Sequence, residues 1–168
     1  DCSGGVDDHP DCPDCEPIWR GPHRYQVCTY PRNYAQARTH CQEAGAEPVI
    51  INTGSENAWL NAQSLAISWK RYWIGLTDDV EEGSFRWWDG SDPSYLHWNG
   101  GEPNDSGGED CTEMYNSGLW NDINCDAEKP VICEDVCEPG EDADGDGGLR
   151  CGKDCDDGDP LIGPCTFD

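Results

Sequence analysis

Twelve cysteines in 168 residues constrain this chain more than any other feature. The count is even and the density high, which is the pattern of a chain held by disulfides as well as by an apolar core. Disulfides persist in oxidising compartments, so the expected location is secreted, extracellular or on a cell surface. The length allows one domain with appendages. No apolar run is long enough to span a bilayer, so no membrane insertion is expected. No signal segment precedes Asp1, and the expectation is a mature chain whose signal has been removed.

Charge removes several classes of partner. Thirty-five Asp plus Glu against ten Lys plus Arg give a net charge of −25. Binding nucleic acid needs clustered Lys and Arg against phosphate, so none is expected. An anionic membrane surface is disfavoured for the same reason. Excess carboxylate does suit a chain that offsets its own repulsion with divalent cations.

Three regions differ in composition. Residues 1–14 form a polar arm with glycine and proline and no apolar period. Its Cys2, His9 and Cys12, with Cys15, could be written as a zinc site, but secreted cysteines usually pair with one another. In the middle, Tyr25 to Tyr30 reads as a strand. Asn33 then caps a helix in which Tyr34, Ala37, Cys41 and Ala44 share a face, and Gly45 stops it. Val49-Ile50-Ile51 is a short buried run. Ser55 is the expected cap of a second helix, with Trp59, Ala62 and Leu65 on one face. Short helices followed by short strands and a long coil predict an α+β domain. The coil from Asp89 to Asp110 is of a length that is usually functional or disordered. Trp73, Trp87, Trp88, Trp98 and Trp120 cluster around it and are expected mostly in the core. After Glu134 the chain has almost no core-forming residues, so 135–168 reads as an Asp- and Cys-rich tail.

The chemistry concentrates in Glu102-Pro103-Asn104, Glu109-Asp110-Cys111 and Trp120-Asn121-Asp122. Calcium takes six to eight oxygen ligands and mixes carboxylates with amide carbonyls. Glu102, Asn104, Glu109, Asn121 and Asp122 supply that mixture. A cis bond before Pro103 would turn the Glu102 and Asn104 side chains to one side, and such a bond is cheap only before proline.

Gly101 to Glu134 resembles the long-loop region of C-type lectin domains, and Trp73-Ile74-Gly75-Leu76 is similar to that family's core strand. The resemblance spans Cys15 to Glu134, so the domain is set at residues 15–134. It implies a C-type lectin-like fold with two helices, short antiparallel sheets and a calcium-binding loop. It also implies the pairs Cys15 with Cys28, Cys41 with Cys133 and Cys111 with Cys125. Cys2 with Cys12 is a local guess, and Cys137, Cys151, Cys155 and Cys165 are left unassigned.

What the resemblance implies for function is specific. Glu-Pro-Asn is the version the family associates with mannose-type sugars, whereas Gln-Pro-Asp, absent here, marks the galactose-type branch. Two adjacent equatorial hydroxyls, as on mannose, glucose, fucose or N-acetylglucosamine, would enter the Ca2+ shell. Glu102 and Asn121 would serve one hydroxyl, Asn104 and Glu109 the other, and Asp122 would complete the metal shell. The plainer alternative is calcium that only staples the loop. Asp78, Glu82, Asp105 and Asp110 match the auxiliary calcium site of mannose-binding members, against the reading of a solvated acidic surface.

The tail adds a third candidate. Asp142, Asp144 and Asp146 before Gly147 look like the start of an EF-hand loop, but Lys153 stands where that loop needs Glu. Asp154-Cys155-Asp156-Asp157-Gly158-Asp159-Pro160 resembles instead a metal-binding repeat of bacterial secreted proteins. Asp142, Asp144, Asp146, Asp154, Asp156 and Asp157 are its expected ligands.

No catalytic constellation stands out, because His9, His23, His40 and His97 lie scattered outside any nucleophile or zinc-protease motif. The expectation is a secreted calcium-dependent carbohydrate-binding module and no enzyme. The alternative is a structural subunit of an extracellular matrix or filament. Such a subunit would form homo-oligomers through its calcium- and cysteine-rich arms.

Overall fold

The computed structural model describes residues 14–21 and 23–135. Strand β1 (Cys15–Arg20) turns at Gly21, in the left-handed region, and returns as β2 (His23–Arg32). The two pair antiparallel with Cys15 opposite Cys28, and a disulfide joins those residues. Strand β2 runs two residues beyond the expected Tyr25–Tyr30 segment at each end. Its other edge pairs with β8 (Lys129–Asp135), which also takes the short β3 (Ala46–Pro48).

Helix α1 (Tyr34–Glu43) begins as its sequence predicts. Asn33 Oδ1 accepts from Gln36 N, while the Gln36 side chain accepts from Asn33 N, which satisfies two orphan donors reciprocally. Tyr34, Ala37 and Cys41 are buried, and Cys41 is bonded to Cys133 in β8. Ala44 was expected on the same face but is the exposed C-cap, just before Gly45 at φ 75°.

Helix α2 (Gly54–Ile67) departs from expectation in two ways. Its cap is Thr53, whose hydroxyl accepts from Glu56 N, and not Ser55. Its buried residues are Glu56, Asn57, Leu60 and Ser64, whereas Trp59 and Leu65 are half-buried and Ala62 is exposed. The reason is that polar side chains on this face have specific partners inside. Glu56 accepts from Tyr25 Oη and from Asn52 N, each at 2.8 Å. Asn57 accepts from Trp120 Nε1 at 2.8 Å and donates to the Gly118 carbonyl at 2.9 Å. Apolar spacing alone does not reveal a face built this way.

Strand β4 (Tyr72–Thr77) enters the middle of the sheet, parallel to β8 at Trp73 and Val131, and carries β5 (Arg86–Trp87). Beyond β4 lie β6 (Cys111–Met114) and β7 (Trp120–Ile123). The path is therefore β1-β2-β8-β4-β6-β7, a mixed sheet with two helices and the α+β class expected. Gly75 in β4 passes so close to β3 that a Cβ there would sit 2.6 Å from the Pro48 carbonyl oxygen. The core centres on Trp73 and Trp120, both fully buried. Trp120 meets Trp87, Tyr95 and Trp98 edge to face. Trp87 is buried too, while Trp88 and Trp98 are half-buried. The disulfide Cys111–Cys125 closes the turn after β7 onto the start of β6.

Candidate calcium and carbohydrate site

Strand β7 supplies the fixed side of the site. Asn121 and Asp122 lie on it, opposite Glu113 and Thr112 of β6. The other residues come from the loop between β5 and β6, which has no helix or strand of its own apart from a bridge between Trp98 and Trp120. Asp122 ties the two together. It is buried at 1% exposure, and its Oδ2 accepts from Asn104 N at 2.9 Å and Asp105 N at 2.7 Å. The strand carboxylate thus holds the loop backbone immediately after the Glu102–Pro103 bond, which is cis. Asn104 Nδ2 in turn donates to Glu102 Oε2.

The rest of the loop folds on its own acids. Asp105, at φ 45°, accepts from Gly108 N at 3.1 Å and Glu109 N at 3.0 Å through Oδ1. Glu109 Oε2 accepts from Ser106 N at 3.0 Å. Partial burial raises the Glu102 carboxyl, the Asn104 bond opposes this, and the Asp122 and Glu109 carboxylates raise it further. Glu102, Asn104, Glu109 and Asp122 therefore form one group.

The four other acids form a second group at the end of β4. Asp78 is buried, its Oδ2 accepts from Gly83 N at 2.8 Å, and its backbone N–H donates to the Asp110 carbonyl. Burial is the main reason its carboxyl is raised, with the Gly83 bond opposing and Asp110 adding. Glu82 is raised by desolvation and then by the charges of Asp105, Asp78 and Asp110. Asp105 belongs to the loop of the first group and acts on the second, so the groups adjoin.

Both groups fit a cation. The Oδ1 atoms of Asp122 and Asp78 are buried and face no hydrogen-bond donor. A buried carboxylate oxygen without a donor is costly. Hard oxygen donors in this number are what Ca2+ takes.

Glu113 is a site neighbour that motif reading did not find. It is fully buried, and its Oε1 accepts from Asn121 Nδ2 at 3.3 Å. An acid inside the otherwise buried run Cys111–Met114 was the available signal, but its partner depends on the β6–β7 register. Asp142, Asp144, Asp146, Asp154, Asp156 and Asp157 lie outside the described residues, as do Cys2, His9, Cys12 and the four tail cysteines. Among the described residues Asp14, Cys15, Cys28 and His40 also converge, yet the two sulfurs are bonded to each other and offer no thiolate. That removes Cys15 from the N-terminal zinc alternative.

Known proteins place this geometry. The C-type lectin domain family model matches residues 30–135. C-type lectin domain family 4 member M of Nomascus concolor is 42% identical over 113 residues, which is 66% of this chain and 28% of that protein. CD209 antigen of Symphalangus syndactylus is 42% identical over 113 residues, 66% of this chain and 29% of its own length. The chain thus spans under a third of the curated relatives it matches. Among solved structures, the mouse scavenger receptor C-type lectin carbohydrate-recognition domain superposes with a TM-score of 0.68 at 30% identity, over 73% of this chain and 96% of that one. The cow C-type carbohydrate-recognition domain of CD23, solved in the presence of a GlcNAc2Man3 oligosaccharide, gives 0.67 at 33% identity, over 73% and 94%. The family model spans the strands and loop that carry the acid groups, and no catalytic family is indicated. On sequence and fold together, the chain belongs to the C-type lectin domain family.

Proposed function

We propose that this domain is a calcium-dependent carbohydrate-binding module for sugars with vicinal equatorial hydroxyls: mannose, fucose, glucose and N-acetylglucosamine. The observation that carries this reading is the Asp122 carboxylate. One oxygen anchors the loop, and the other is buried without a donor beside Glu102. Glu102, Asn104, Glu109, Asn121 and Asp122 would hold the ion, and Asp78, Glu82, Asp105 and Asp110 an auxiliary one. Calcium, when bound, supplies a hard cationic centre whose open positions suit hydroxyl oxygens.

The chain's own residues do the rest. The Glu102 and Glu109 carboxylates are acceptors of hydrogen bonds from the sugar hydroxyls. The Asn104 and Asn121 amides are donors to the hydroxyl oxygens. Each Nδ2 carries two protons, so Asn104 can keep its bond to Glu102, and Asn121 its bond to Glu113, while offering a second proton to a sugar. Loop contacts made before the ligand arrives reduce the ordering cost of binding. The cow CD23 domain, solved with a mannose-containing oligosaccharide, lends this reading support by kinship. The three disulfides of the described residues support secretion or display at a cell surface. The test is affinity chromatography: mannose-agarose retains the protein in calcium and releases it in chelator, and retention indifferent to chelator rejects the reading.

A further inference from the structure

We propose that Glu113 is a positioning residue that sets which way round the Asn121 amide sits, and so which end of it faces the metal and the sugar. The inference rests on the site reading given above.

An asparagine amide has two ends of nearly the same shape, one acceptor and one donor. Packing cannot tell them apart, but a hydrogen-bond partner can. Glu113 is such a partner. It sits directly across from Asn121 in the β6–β7 pair and is 0% exposed. As a carboxylate it only accepts, so it can bind only the Nδ2 end. That bond is 3.3 Å and leaves Oδ1 directed away from Glu113.

The carboxylate is itself fixed from two other strands. Arg71, just before β4, donates from Nη1 to the same Oε1 at 3.2 Å. Lys129, at the start of β8, places Nζ 2.9 Å from Oε2. A buried charge that lost its partners would be strongly destabilising, and here two cations compensate it. Arg71 is further held over the Tyr115 ring at 4.1 Å. Partners from β7, β8 and the residue before β4 therefore converge on one carboxylate of β6, whose hydrogen bond to the proposed metal set is the one to the Asn121 amide, among the described residues. A strand-core acid with no role beyond bracing would not need to end on Asn121, which stands next to Asp122 on β7 and belongs to the proposed metal set. Such partners of ligands orient them, and their loss typically reduces metal affinity by about 10- to 100-fold.

Glu113→Gln keeps the shape but gives one oxygen to three donors. Lys129, the nearer cation, claims that oxygen at the Oε2 place, the Gln NH2 takes the Oε1 place that faces Arg71 and Asn121, and Asn121 turns over. Two readouts test this. In metal-free wild-type protein, NMR of the Asn121 side-chain amide should show one proton shifted downfield and protected from exchange. Free-amide shifts for both protons would overturn the proposal whether or not any variant folds. In calorimetry, Glu113→Gln should weaken calcium binding at the principal site by about 10- to 100-fold. It should add no further loss in an Asn121→Ala background. An unchanged affinity, an equal loss in that background, or a change only in the melting temperature of the metal-free protein would each mean that Glu113 is a structural ion pair. Wild-type protein that takes up no calcium would reject the site reading instead, and the NMR result would still decide the Asn121–Glu113 pair.

Discussion

At the scale of single residues, Asp122 has two tasks. One oxygen accepts the Asn104 and Asp105 amides, and the other is buried without a donor. Asp122→Ala should therefore abolish retention on mannose-agarose while the near-ultraviolet circular dichroism stays native, because each disulfide limits the unfolded chain by roughly 2–4 kcal/mol. Normal sugar binding by that variant would mean the site is misassigned. Glu134 tests electrostatics away from the site. Burial pushes its carboxyl up to about 7, with the Glu56 and Asp135 charges adding and the Ile50 amide opposing. The folded state thus holds this proton more tightly than the unfolded chain, whose value is 4.5. The stabilising contribution is complete below pH 4.5 and is lost as pH rises toward 7. Glu134→Gln should flatten the decline in stability of the metal-free protein across that window, by on the order of 3 kcal/mol in denaturant titrations. Parallel curves for the two proteins would refute the assignment. The five residues proposed for the principal site were picked out in sequence because calcium's demand for oxygen is written in residue types. Glu113 was not, since its partnership with Asn121 exists only once β6 and β7 are in register.

At the scale of elements, α1 was legible and α2 only partly so. The first helix announces itself through Asn33, Gln36 and an apolar face. The second hides its buried face under Glu56 and Asn57, whose partners lie on β2, β7 and the loops, and under Ser64, whose hydroxyl donates to the Asn61 carbonyl of the same helix. Its start was misplaced by two residues because Thr53 and Ser55 are both good caps by type. The bond from Glu56 N to Thr53 Oγ1 at 3.2 Å decides between them. Thr53→Ala should cost about 1 kcal/mol of stability and Ser55→Ala markedly less, as read by thermal or urea unfolding. Equal losses would contradict the cap. Glu56 gains from the same cap. Its backbone is tied to Thr53, and its carboxylate reaches back to Asn52 N and across to Tyr25.

At the scale of the whole molecule, the fold brings distant segments to one edge of a sheet. Strand β4 delivers Asp78, the loop from Asp89 to Asp110 delivers Glu102 to Asp110, and β7 delivers Asn121 and Asp122. The class and the three bridges could be anticipated because the Trp-Ile-Gly-Leu strand and the long-loop residues carry the family resemblance, which implied the pairings that six cysteines alone leave open. The strand order could not, since the parallel contact of β4 with β8 joins residues 58 apart in the chain, Trp73 and Val131. A net charge of −25 suits a neutral hydroxylated ligand better than a nucleic acid. The central claim is that oxygen-rich side chains, calcium and a sugar diol form one unit with a mannose-type preference. A glycan array run in calcium and repeated in chelator tests it most directly. The account predicts signals on mannose-, fucose- and N-acetylglucosamine-terminated glycans that vanish in chelator. Signals that survive chelation, or a clear preference for galactose, would contradict it.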